Sequence, residues 1–223
     1  SEMCIRDSHP DQDDLLRRFV NRWTFRRADA LVVLSRSQLE ALPPEVKGKA
    51  RVIPHPVYPI DPVGPIDPKP TVLFFGRITP YKGLEVLLKA YDILKRKVPG
   101  VKLIIAGEGD LSAYQIPPDV EVHNRWLGRE ELARLLGRAW VAALPYTSAT
   151  QSGAAATAKG AGLLTVGTEV GDLPEQVDLA VPPGDPLALA EALEKALGGE
   201  VKLRPAPSWK DVVEAYEEIL HGL

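Results

Sequence analysis

The chain has 223 residues, is 45% apolar and carries a formal net charge of −3 at neutral pH. That length exceeds one average domain, and the apolar fraction is ample for a core. A slightly acidic balance carries no polybasic signature, which argues against nucleic acid as the main partner. No apolar run reaches the roughly 18 residues that a membrane-spanning helix requires.

The only Cys and the only Met (Cys4 and Met3) lie in the opening octet "SEMCIRDS". Back-translated, this octet resembles a transposon-end adapter used to prepare sequencing libraries, so residues 1–8 are expected to be a non-native tail. Without them the chain has no thiol chemistry. Re-sequencing of the locus tests that expectation. Residues 11–56 read as helix, strand, helix, strand, within a partial α/β unit over residues 9–56. "DLLRRFVNRWTFRRADA" places Leu15, Leu16, Phe19, Val20 and Trp23 at helical spacing, and "ALVVLS" is a continuous apolar run of the buried parallel-strand type. Ser35 is positioned to cap a short helix over "SRSQLEAL" that Pro43 and Pro44 halt; "ARVIPHPV" is a second strand that Pro54 and Pro56 end.

Seven prolines fall in residues 54–70, and residues 57–70 are expected to form a stiff linker between domains. Residues 71–207 then alternate strands, read at 71–75, 101–106, 119–123, 140–144 and 163–167, with helices. That order argues for an α/β fold with a Rossmann-like parallel sheet covered on both faces. Leu84, Leu87, Leu88, Tyr91 and Leu94 form one apolar stripe; Leu132, Leu135, Leu136 and Ala139 form another. Asp185 is placed as an N-cap before Pro186, with Gly198 as the stop. Residues 208–223 read as a closing helix that Ser208 and Asp211 open as a capping box.

Three loops carry chemistry. In "FFGRITPYKGLEVLL" a strand ends at Gly76, Arg77 follows, and Lys82 precedes Gly83 at the start of a helix. Ligands of open parallel sheets bind at the carboxyl ends of strands, and helix N-termini attract anions. A planar guanidinium and a mobile ammonium there suit phosphate oxygens; two ordinary solvated cations fit the spacing equally well. "LIIAGEGDLSAY" approaches the dinucleotide fingerprint, with Ser112 where Gly or Ala belongs. Pro117 and Pro118 leave no room for its long helix, so a tight loop is expected and a nicotinamide or flavin site is not. In "LPYTSATQSGAAATAKGAG" Ser152 is positioned to cap a helix of small residues, which makes a second anion site or a close helix–sheet contact.

The ordered set "VLFFGRITPYKGLEVLLKAY", "VKLIIAGEGD", "LPYTSATQSG", "GDLPE", "VPPGDPLALAEAL" and "SWKDVVEAYEEIL" resembles the C-terminal half of retaining family 4 glycosyltransferases. "FRRADALVVLSRSQLEAL" with "ARVIPHPVYP" resembles the end of their N-terminal domain. The resemblance implies part of a two-domain GT-B fold, a nucleotide diphosphate sugar as donor, a sugar or lipid-linked acceptor hydroxyl, and retention at the anomeric carbon. It implies no cofactor and no metal. It assigns Arg77 and Lys82 to the donor diphosphate as the catalytic cations, with Gly76, Thr150, Gln151, Ser152 and Gly153 beside them. Asn124 and Arg125 fall where the family holds the nucleobase, although a structural salt bridge fits Arg125 as well. Thr157 falls near the position of the ribose-binding Glu. No Glu or Asp lies between Glu131 and Glu169, so the paired glutamates of many members are missing, and the loop after Glu175 is short. A nucleotide- or anion-binding domain without transferase activity and a sugar-nucleotide epimerase are the rival readings. A cytoplasmic location follows from the resemblance, and the Arg-rich helix at 17–27 is a candidate for peripheral membrane contact.

Overall fold

The computed structural model describes residues 23–222. The octet 1–8 and most of the Arg-rich segment therefore lie outside the described residues. The described part falls into two compact units, one from residues up to Pro56 together with those from Pro207 onward, the other spanning Val57–Ala206.

In the first unit β1 (Leu31–Val33) pairs in parallel with β2 (Ala50–Val52). Between them lie α1 (Arg36–Ala41) and α2 (Pro44–Lys47). Ser35 caps α1 by accepting from the Gln38 N–H at 3.1 Å. The short helix α2 was not expected: Pro44 occupies its first turn, where the missing N–H costs nothing, so the proline starts a helix as well as stopping one. α8 (Trp209–His221) groups with this unit, and Ser208 and Asp211 form the reciprocal capping box.

The second unit is a six-stranded, all-parallel sheet in the order β5-β4-β3-β6-β7-β8. Its strands are β3 (Thr71–Phe75), β4 (Lys102–Ala106), β5 (Glu121–His123), β6 (Val141–Leu144), β7 (Leu164–Thr168) and β8 (Leu179–Val181). Its helices are α3 (Leu84–Lys97), α4 (Arg129–Arg138), α5 (Gly153–Gly160), α6 (Leu173–Gln176) and α7 (Pro186–Leu197). Five strands match the sequence reading; the three-residue edge strand β8 is too short to show a period. All five β3 residues are buried and alternate between faces. Val72 and Phe74 join α3 and α7 in one core, whereas Leu73 and Phe75 join α4 and α5 in the other. Both faces are thus covered, as a parallel sheet requires.

The expected linker is corrected in one respect: its residues belong to the sheet unit. Tyr58 donates its N–H to Ala156 (3.2 Å), Val63 to Ala133 (3.0 Å) and Asp67 to Arg138 (3.0 Å). Ile60 is buried among the residues of α4 and α5. Proline keeps this strand of chain extended, but it leaves the intervening N–H groups free to bond the helices. Two helical glycines make the crossing possible. A Cβ on Gly160 would lie 1.9 Å from the Tyr58 carbonyl oxygen, and one on Gly137 would lie 2.5 Å from that of Val63.

Candidate functional site

The chain runs β3, β4, β5 toward one edge of the sheet and then returns to place β6, β7 and β8 on the other side of β3. β3 and β6 are adjacent, with Val72 opposite Val141 and Leu73 opposite Ala142. Their carboxyl ends form the topological switch point where open α/β sheets take their ligands. The loops leaving these two strands are the two phosphate-type motifs of the sequence. The topology alone brings them together.

After β3 the chain passes Gly76, whose φ is 108°, and reaches Arg77, which is exposed. Among the described residues no carboxylate or carbonyl holds its guanidinium. A single 3-10 turn (Pro80–Lys82) then leads into α3. Gly83 makes that entry at φ 69°, and a Cβ there would sit 1.8 Å from the Pro145 carbonyl oxygen at the end of β6. Only glycine supplies both the left-handed conformation and the space. Thr147 closes the same contact from the other loop, donating its N–H to the Tyr81 carbonyl at 2.8 Å. In this loop the hydroxyl oxygen of Thr79 is sealed from solvent and has no hydrogen-bond partner among the described residues.

Lys82 is the electrostatic centre of the arrangement. Its Nζ lies 3.7 Å from the ring centroid of Tyr146 and 5.3 Å from that of Tyr81. Burial lowers its pKa from the usual lysine range to about 8. Tyr146 is itself 1% exposed, and burial pushes its phenol up to about 12. Its hydroxyl meets the Ser152 hydroxyl at 3.1 Å. Neither tyrosine has a motif signature; both stood inside quoted loops, and only the fold shows that they flank the lysine.

The second motif forms the N-terminus of α5. Ser152 caps it by accepting from the Ala155 N–H at 3.1 Å. Its own N–H is held by the Gln176 side-chain oxygen at 3.0 Å. Gln151 donates to the buried Asp172 at 3.0 Å and accepts from Gln176. Thr150 accepts at its carbonyl from the Asp172 N–H at 3.2 Å. Gly171 permits this approach, since a Cβ there would meet the Ala149 carbonyl oxygen at 1.8 Å. The N–H groups of Gly153 and Ala154 are left as the first helix donors able to face a ligand. Residues of "GDLPE" and α6 therefore brace the loop after β6, a role that the sequence did not suggest for Asp172 or Gln176.

The remaining candidates are already engaged. Asn124 accepts the Gly109 N–H at 3.2 Å and latches the glycine loop after β4. Arg125 forms a two-pronged ion pair with Glu131, its Nη1 lying 2.5 Å from Oε2; the salt bridge is the role the structure displays. Thr157 donates its hydroxyl to the Gly153 carbonyl at 2.8 Å, within its own helix. The loop at 107–112 is tight and runs to β5 without a long helix, as expected. Among the described residues no group of three or more His, Cys, Asp or Glu side chains could hold a metal ion. No helix among them is long and apolar enough to cross a membrane.

A six-stranded parallel sheet covered on both faces, with a cation loop and a capped helix N-terminus at its switch point, defines an open Rossmann-like α/β protein. The particular family follows from comparison. Residues 69–198 match the family described as glycosyl transferases group 1, and the chain belongs to it. An uncharacterized glycosyltransferase of Bacillus subtilis, YqgM, is 31% identical over 180 residues, which cover 76% of this chain and 49% of the relative. The chain thus spans about half the length of that curated relative. Over most of the chain the structure resembles GT-B glycosyltransferases. Anabaena HepE in complex with UDP aligns with a TM-score of 0.69 at 16% identity over 92% of this chain and 67% of its own. Sucrose-phosphate synthase from Thermosynechococcus elongatus aligns at 0.66 and 21% identity over 97% of this chain and 64% of its own.

Proposed function

We propose that this chain is the donor-binding part of a glycosyltransferase that moves a sugar from a nucleotide diphosphate sugar to an acceptor hydroxyl with retention of anomeric configuration. One observation carries the proposal. Arg77 and Lys82 on the loop after β3 share the switch point with the free N–H groups opening α5, and Lys82 and the α5 cap touch the same tyrosine. Two cationic side chains and a helix N-terminus there suit a diphosphate.

The chemistry follows from charge. As the anomeric carbon–oxygen bond breaks, negative charge grows on the leaving phosphate oxygen, and fixed donors stabilise it more than they stabilise the bound substrate. Arg77, planar and without an ion-pair partner among the described residues, is placed to grip two oxygens. Lys82, half-desolvated, interacts more strongly with an anion than a solvated lysine does. These groups supply the charge compensation for a metal-independent reaction. UDP is the first probe to try, because HepE was crystallised with it. We further propose a sugar or lipid-linked acceptor and a cytoplasmic site of action. At the described end of the Arg-rich segment Trp23 is 51% exposed, with Arg27 over its ring at 4.2 Å; liposome co-sedimentation tests whether it meets a membrane.

Calorimetric titration with UDP, GDP and ADP is the direct test of the donor site. Charged hydrogen bonds contribute about 1.5–3 kcal/mol each, so Arg77→Ala should weaken binding by roughly ten- to a hundredfold. Unchanged affinity would refute the assignment. Transfer with retention, followed by NMR of the anomeric proton on the whole protein, tests the reaction. A binding domain without transferase activity is favoured by one observation: Thr157 spends its hydroxyl on its own helix, and no acidic residue lies near it in sequence to grip a ribose. Tight nucleotide binding without transfer or epimerisation would decide for that reading.

A further inference from the structure

We propose that Tyr146 is a positioning residue that sets the spacing of the diphosphate clamp, its ring face holding the Lys82 ammonium while its hydroxyl holds the Ser152 cap of α5. This rests on the donor-site reading above. The ring is placed to do both tasks at once. Lys82 Nζ, on the loop after β3, stands 3.7 Å from its centroid, and the hydroxyl reaches Ser152 Oγ, on the loop after β6, at 3.1 Å.

The ring itself is immobilised from several directions. It is fully buried. Its backbone carbonyl accepts from the Thr168 hydroxyl at 2.5 Å at the end of β7. Tyr81 meets it edge-on, with centroids 6.4 Å apart and planes at 80°. The following residue, Thr147, is bonded to the Tyr81 carbonyl.

An aromatic holder differs in kind from a carboxylate. Lysine is a flexible stem with a point charge, and an ion-pair partner would fix it only by spending that charge. Among the described residues no carboxylate lies within ion-pair distance of Lys82. A ring quadrupole attracts the ammonium without neutralising it, so its charge and the N–H donors that do not face the ring stay available to a ligand. The hydroxyl at the other end of the ring orients the cap whose helix offers the remaining donors. One rigid side chain therefore ties a cation on one loop to a helix N-terminus on another.

The test uses the 223-residue chain and UDP, with GDP and ADP as parallel probes. Tyr146→Leu removes the ring face and should weaken binding by about three- to thirtyfold, the range for a cation–π contact that becomes desolvated. Tyr146→Phe keeps the face and should lose only about two- to tenfold. In the Lys82→Ala background, Tyr146→Leu should cost no more than Tyr146→Phe does. Equal losses in both backgrounds would show a general structural role and overturn the proposal. A second measurement needs no nucleotide. The ring current should shift the Lys82 ε-CH2 resonance upfield in 13C-lysine-labelled protein, and Tyr146→Phe should preserve that shift. An unshifted Lys82 signal in the parent protein overturns the proposal whether or not a nucleotide binds. Failure of all three nucleotides to bind refutes the donor-site reading instead, and the NMR result still decides the placement of the lysine.

Discussion

The most discriminating consequence of the site is a pH dependence of nucleotide affinity set by Lys82. Desolvation by burial lowers its pKa to about 8 in the free protein. A bound diphosphate favours the ammonium and raises that pKa. Binding near and above pH 8 must therefore take up a proton, and affinity falls as the pH rises through the free-state value. The direction is opposite to that of a group whose pKa binding lowers. Each pH unit above the free pKa costs about tenfold, so UDP should bind about thirtyfold more weakly near pH 9.5 than near pH 7. The window opens near pH 7 because a terminal phosphate begins to protonate at about pH 6. Titration calorimetry in two buffers of different ionisation enthalpy measures the proton uptake directly, which should approach half a proton near pH 8. Lys82→Arg carries a charge that does not titrate in this range, and its profile should be flat. A flat profile in the parent protein, with binding intact, would show that Lys82 does not meet the diphosphate.

Three further predictions concern the scaffold that presents the site. Gly160→Ala places a methyl against the Tyr58 carbonyl; overpacking of this kind costs about 1–3 kcal/mol, and hydrogen exchange should show the Tyr58 amide losing protection first. Lys159 and Asp178 form an ion pair with side chains 5% and 0% exposed, and Asp178 also accepts from Thr165 and Arg204. Lys159→Met leaves that carboxylate unpaired and should cost about 3–5 kcal/mol by urea denaturation. A loss below about 1 kcal/mol would mean that Thr165 and Arg204 suffice to hold the charge. Thr79→Val removes a sealed hydroxyl that has no partner among the described residues and should raise stability by about 1 kcal/mol, or Tm by about 2–4 °C. An unchanged or lower Tm would show that the hydroxyl is hydrogen-bonded after all.

Much of this molecule could be read before its fold was known, because local signals are short in range. The stripe from Leu84 to Leu94 is buried as its period required. Ser35, Ser152, Asp185 and Ser208 each cap the helix they precede, since a cap needs only its next three residues. Arg77, Lys82 and the Ser152 cap were legible as candidate anion-binding loops for the same reason: strand end, glycine, cation and cap are neighbours in sequence. What no local pattern could supply was contact between segments. The prolines of residues 57–70 spelled an extended chain but not the helices it would lie on, which depended on Gly137 and Gly160 about eighty to a hundred residues later. For Arg125 the sequence left a nucleobase contact and a salt bridge equally open, and the fold supplied Glu131 as its partner. The side chain that joins these two loops, Tyr146 between Lys82 and Ser152, touches both only because β6 inserts next to β3. Periodicity and capping chemistry decide which elements form; only the order of strands in the sheet decides which loops meet.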